Sequence, residues 1–157
     1  MRAMNLIARS RDKRGVALVE FALVVMLLFA LFLGIIEFGV LMMRQFTLVQ
    51  VAREGARHAS LGRSVEQITE RITNTAGALD NPSAITIALT YSADDGLTYP
   101  NILENDGGGH NDAPPGSLIK VHLGYPYHFV TGTFFSFLDR AQGDVMPLSA
   151  DVIMRRE

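Results

Sequence analysis

The chain reads as an α+β protein: a long N-terminal transmembrane and amphipathic helix, a second short helix, and a small antiparallel sheet of about three strands. Three observations carry this reading. The first 43 residues pass from a basic tail into an apolar run in which residues 16–43 hold two charges, Glu20 and Glu37. No proline occurs before Pro82, so nothing interrupts a long helix. Further on, the apolar periodicity shortens from helical spacing to strict alternation.

Residues 1–15 form a basic leader. Arg2, Arg9, Arg11, Lys13 and Arg14 precede Gly15, opposed by Asp12 alone. Five of the 14 basic residues and one of the 16 acidic ones lie there, which leaves nine against fifteen in the remainder. That remainder has the wrong sign for a nucleic-acid surface, so no nucleic-acid partner is expected. The absence of cysteine excludes disulfides, thiolate metal sites and cysteine nucleophiles.

Residues 16–43 form the transmembrane segment. As a helix they span roughly 40 Å, enough for a hydrocarbon core of about 30 Å. Basic residues lie on the N-terminal side, so the N-terminus is expected in the cytoplasm and the rest across the membrane. The run is too long for a secretory h-region, and no small-x-small site follows it.

Residues 44–62 continue the helix as an amphipathic extension. Val49, Ala52, Ala56 and Ala59 share a face, while Arg53, Glu54 and Arg57 lie among them with an i,i+3 ion pair expected. Gly62 marks the stop. Residues 63–157 then form a small α+β domain. Ser64 with Gln67 is a capping-box signature, followed by Val65, Ile68, Ile72 and Ala76 at helical spacing. Asp80-Asn81-Pro82 ends that second helix.

Three strands are expected. Ile85, Ile87, Leu89 and Tyr91 alternate with polar or small residues. So do Ile119, Val121, Leu123, Tyr125, Tyr127 and Phe129, in a strand that Pro126 marks as edge-like or interrupted. Leu148, Ala150, Val152 and Met154 mark the third. Residues 92–116 read as a flexible loop, and Phe134, Phe135, Phe137 and Leu138 as a short helical cap.

The chemistry concentrates at Arg14-Gly15-Val16-Ala17-Leu18-Val19-Glu20-Phe21. A carboxylate inside an apolar segment costs about 2.5–3.5 kcal/mol on insertion scales, so Glu20 needs a compensating partner. Prepilin-type peptidases cut after a glycine at the cytoplasmic face. Cleavage after Gly15 would expose the Val16 ammonium one helical turn from Glu20. Pairing of the two between chains would fix the register of one subunit against the next, the best-attested use of a buried polar group. A plain signal anchor with Glu20 snorkelling to the interface is the alternative. Glu37 lies about 260° around the helix from Glu20, near the outer interface, where hydration or a neighbouring subunit would meet it. Ala30 and Gly34 offer a close-approach surface for another helix.

Elsewhere the signals are weak. The Asp94-Asp95-Gly96 and 105–112 stretches lack the spacing of a calcium loop. His122 and His128 are too far apart to share a metal. No cofactor, metal or small-molecule substrate is expected, and no catalytic set is visible.

Three motifs in order carry a family resemblance: Gly15-Val16-Ala17-Leu18-Val19-Glu20-Phe21-Ala22-Leu23, Gly34-Ile35-Ile36-Glu37-Phe38-Gly39, and Ala52-Arg53-Glu54-Gly55-Ala56-Arg57. Together they resemble the TadE-like family of pseudopilins from tight-adherence (Flp, type IVc) pilus systems, over about residues 14–61. One departure is Val25-Met26, where many relatives carry a proline. The resemblance implies a pilin-like spine and a prepilin leader removed by a prepilin peptidase between Gly15 and Val16. It implies Glu20 and Phe21 as register, assembly and processing residues, with Ala30, Gly34, Glu37 and Gly39 at subunit contacts. It also implies a non-enzymatic role in pilus assembly as a minor pilin. The partners would be the lipid bilayer, the peptidase, other pilus subunits and the assembly machinery. The chain would lie in the cytoplasmic (inner) membrane with its C-terminal domain exported to the periplasm or cell surface. The rival reading is an uncleaved single-pass anchor carrying an exported binding protein.

Overall fold

A computed structural model describes residues 5–132 and 145–157, with side chains from residue 15 onward. The basic side chains of the tail and the expected cap at Phe134, Phe135, Phe137 and Leu138 lie outside the described residues. Helix α1 runs Asn5–Ser60 and is 56 residues long. The chain divides into two compact units, one ending at Gly39 and the other beginning at Val40.

In the first unit the apolar residues are exposed. Phe21 is 68% and Leu27 72% accessible, in a helix long and apolar enough to cross a membrane.

The second unit has a core. From α1 it takes Leu48, Val51, Ala52, Ala56 and Ala59, all fully buried. Of the stripe foreseen at Val49, Ala52, Ala56 and Ala59, the three alanines are the inward face and Val49 is half-buried against the core, and the small residues let the helix approach closely. Helix α1 ends in a Schellman motif. Gly62 takes φ +77, its N–H donates to Ala59 O at 3.0 Å, and Arg63 N–H donates to His58 O at 3.2 Å.

Helix α2, Val65–Thr75, starts from Ser64, whose hydroxyl accepts from Gln67 N–H at 3.4 Å. Ile68 and Ile72 are its buried pair, and a 3₁₀ turn, Ala76–Ala78, follows.

Four strands follow: β1 Thr86–Ser92, β2 Asn101–Ile102, β3 Leu118–His128 and β4 Val145–Arg155. They form one antiparallel sheet in the order β2-β1-β3-β4. Ile119, Val121, Leu123, Tyr125 and Tyr127 face the core from β3, with Leu148 and Ala150 beside them on β4.

Strand β3 is central in the sheet order, between β1 and β4 over Leu118–Gly124, and edge-like where Pro126 stands, with β4 alone beside it. Pro126 is tolerated because it stands opposite Pro147 on β4. Two prolines cannot exchange N–H···O bonds, so they occupy a non-hydrogen-bonded pair and both ring nitrogens point away from the shared ladder. On the other side of β3, β1 has already ended, at the Thr86↔Gly124 pair.

Two-residue β2 is a fourth strand that periodicity could not reveal. It lies inside residues 92–116, which are anchored at several points. Leu103 N–H donates to Leu89 O at 3.0 Å, and Leu103, Asn111 and Ala113 are buried.

Candidate functional site

At the start of the apolar run, Val16 is 59% exposed, and a Cβ built on Gly15 meets nothing within 4 Å. Gly34 and Gly39 are equally open. Glycines with empty space beside them answer to no packing need within the chain. Glu20 is exposed and takes part in no ion pair among the described residues. The structure thus leaves its anomaly in place: a carboxylate in an apolar helix that the described residues do not compensate.

Glu37 differs. It is 7% exposed and engaged in an interaction, so hydration is not its environment. Ala30 and Gly34 are half-buried, Gly39 and Phe21 exposed.

The third motif, residues 52–57, separates by role. Ala52 and Ala56 are fully buried. Gly55 lies under Ile72 of α2, with room for no side chain. Glu54 accepts from Arg71 Nη2 at 2.6 Å and Nε at 3.0 Å, and His58 Nε2 lies 3.7 Å away. The expected Glu54–Arg57 pair is thereby corrected, because the tertiary partner on α2 takes the carboxylate. Hydrogen bonding from Arg71 is the main reason the Glu54 carboxyl is held below its ordinary range. Arg53 and Arg57 point outward and are exposed.

The sheet's outer face carries His122, whose Nδ1 is 2.6 Å from Asp151 Oδ1, with Lys120 Nζ 3.7 Å from the same oxygen. Among the described residues no hydroxyl is hydrogen-bonded to His122, so the pair lacks a nucleophile in contact. Among those residues, too, no three His, Cys, Asp or Glu gather as metal ligands. Of the carboxylates in the two stretches weighed for calcium, Asp94 and Asp106 serve their own turns, while Asp95 lies 3.5 Å from Arg155 and Asp112 accepts from Glu104 N–H at 2.9 Å. Asp94 accepts from Thr98 N–H at 3.0 Å, and Asp106 accepts from Gly108 and His110 N–H.

These features define a class: one helix long and apolar enough to cross a membrane, continuing into the small α+β unit that packs on its far part. The family model described as TadE-like protein matches residues 15–57, and the resemblance carried by the three sequence motifs is to that family. The match opens at Gly15 and closes at Arg57, taking in every sequence-predicted site residue and ending before α2. No curated protein and no solved structure matches the chain.

Sequence reasoning missed Arg71 as the partner of Glu54 and Asn111 as a cap on α1. Asn111 Nδ2 donates to Ala59 O at 2.9 Å and Arg63 O at 3.0 Å. Nothing local signals either residue, since both act across more than a dozen positions.

Proposed function

We propose that this chain is a pseudopilin, a minor pilin that acts in assembly of a tight-adherence pilus. The TadE-like match relates the chain to such pili; the specific role is our reading. In it, a prepilin peptidase cleaves after Gly15, and the new Val16 ammonium neutralises Glu20 of the same or a neighbouring chain. Phe21 lies beside that contact. Ala30, Gly34 and Gly39 give neighbouring helices their closest approach, and Glu37 marks the outer end of the apolar run. The N-terminus is cytoplasmic, the helix crosses the inner membrane, and residues 63–157 are exported.

One observation carries the reading. The family match begins at the glycine that opens a largely exposed apolar run, with a carboxylate five positions on that no ion pair among the described residues compensates. An ordinary anchor has no use for that carboxylate, whereas a processed pilin creates its partner.

N-terminal sequencing of membrane-extracted protein tests the proposal. Val16 as first residue is the expected result. An intact Met1 in cells with active prepilin peptidase would sink it.

A further inference from the structure

The 52–57 motif leaves two arginines outside any ion pair among the described residues. Arg53 and Arg57 stand one turn apart on the exposed side of α1. Like charges at that spacing repel, so the arrangement costs stability unless an anion meets it. With Arg71 they line a hollow of ≈ 470 Å³ whose lining has one carboxylate, Glu54. Three guanidinium groups against one carboxylate leave the hollow cationic.

The counter-charge is in the same sequence. From residue 72 to residue 119 there is no Lys or Arg, but Asp80, Asp94, Asp95, Glu104, Asp106 and Asp112. Arg44 takes Asp80. The other five lie within residues 94–112, all exposed, and the nearest guanidinium is Arg155, 3.5 Å from Asp95. This stretch is preformed rather than slack. Asp106 N–H donates to His110 O at 2.9 Å, and Asn111 ties the stretch to the end of α1. Although both patches belong to one unit, Arg53 and Arg57 pair with none of these acids in their own chain.

We propose that the hollow at Arg53, Arg57 and Arg71 receives the acidic 94–112 stretch of a second copy of this chain. The inference rests on the assembly reading above and names the partner surface. Because the two patches differ, the contact is head-to-tail, the kind that repeats along a stack instead of closing a dimer. Exposed ion pairs are individually weak, so their contribution is orientation and choice of partner more than affinity. The contact weakens as salt screens it.

The chain has no cysteine, which permits a direct test in membranes. Two differently tagged full-length copies are co-expressed, one carrying Arg57→Cys and the other Glu104→Cys, and treated with a short bis-maleimide. A mixed dimer is expected at least fivefold above the control pair Arg57→Cys with Ala88→Cys. Adding Arg53→Glu to the first copy should abolish the excess. Asp95→Arg with Asp106→Arg in the second copy should then restore it. A yield no higher than the control, or one indifferent to charge reversal, overturns the proposal. So does a result in which Arg53→Glu in the Arg57→Cys copy leaves cross-linking intact and instead lowers binding to phosphatidylglycerol vesicles, which would make a lipid headgroup the occupant. N-terminal sequencing of the same preparation keeps the two readings apart. A Val16 start without cross-links sinks only this contact, whereas a Met1 start sinks the assembly reading.

Discussion

Gly55 of α1 and Ile72 of α2 are in contact so close that a Cβ on Gly55 would lie 2.7 Å from both Cγ1 and Cδ1 of Ile72, with Val121 Cγ1 behind at 3.7 Å. The glycine is where helix α2 and the sheet both reach the spine. Glycine in a helix interior costs about 1 kcal/mol relative to alanine, so its presence there reflects space and not propensity.

Gly55→Ala should therefore destabilise the folded unit despite its better helix propensity. Overpacking a core costs about 1–3 kcal/mol, and the propensity gain offsets part of it. Thermal melts of the full chain in detergent should show a lowered midpoint. Combined with Ile72→Val, the loss should be smaller than the sum of the two single changes.

Asn111 seals the other end of this packing. It is 2% exposed, and its amide donates to two carbonyls at the end of α1. Asn111→Ala should cost about 1–3 kcal/mol by removing the buried donor to both carbonyls; Ala59 O keeps the Gly62 N–H, whereas Arg63 O loses its amide partner. Asn111→Asp should cost more, since it sets a carboxylate against them at the negative end of the helix dipole. The order of the two melting midpoints checks the claim.

The turn after β1 should respond to acid. The Asp94 carboxyl is lowered from 3.8 to about 2, first by the Ser92 hydroxyl and then by the Thr98 hydroxyl and backbone N–H. A depressed folded-state value means the contribution is present above 3.8 and is lost as pH falls toward about 2. Protection of the Gly96 and Thr98 amides, measured as exchange relative to the intrinsic rate at each pH, should be lost over that window. In Asp94→Asn that protection should be missing already at neutral pH, with little change in global stability.

Glu20→Ala should remain in the membrane, because removing the carboxylate makes insertion easier by about 2.5–3.5 kcal/mol. It should lose co-purification with partner subunits. Unchanged co-purification would remove the register role from Glu20.

The elements legible in the sequence are those set by local chemistry. Ser64 and Gln67 announced α2 because a cap satisfies its donors within one turn. Gly62 announced the end of α1 because the left-handed turn there excludes other residues cheaply. Strands β1, β3 and β4 were legible from alternation, which the buried sheet face imposes. Two-residue β2 was not, being too short for any period and held by its pairing with Thr90 and Tyr91. Pro126 marked the edge-like part of β3 but not its central part, because a proline forbids one ladder bond and the extent of β3 that has a second neighbour depends on where β1 ends.

The sequence by itself determined the membrane-capable helix, the helix and strand types and the glycine–carboxylate boundary at Gly15 and Glu20. Each depends on hydrophobicity, capping or charge within a few residues. Tertiary structure decided the partners: Arg71 instead of Arg57 for Glu54, Asn111 for the end of α1, β3 at the centre of the sheet. It also left Arg53 and Arg57 facing outward. Such pairings are chosen by distance in space, and only the packing of α2 and the sheet on the far part of α1 sets those distances.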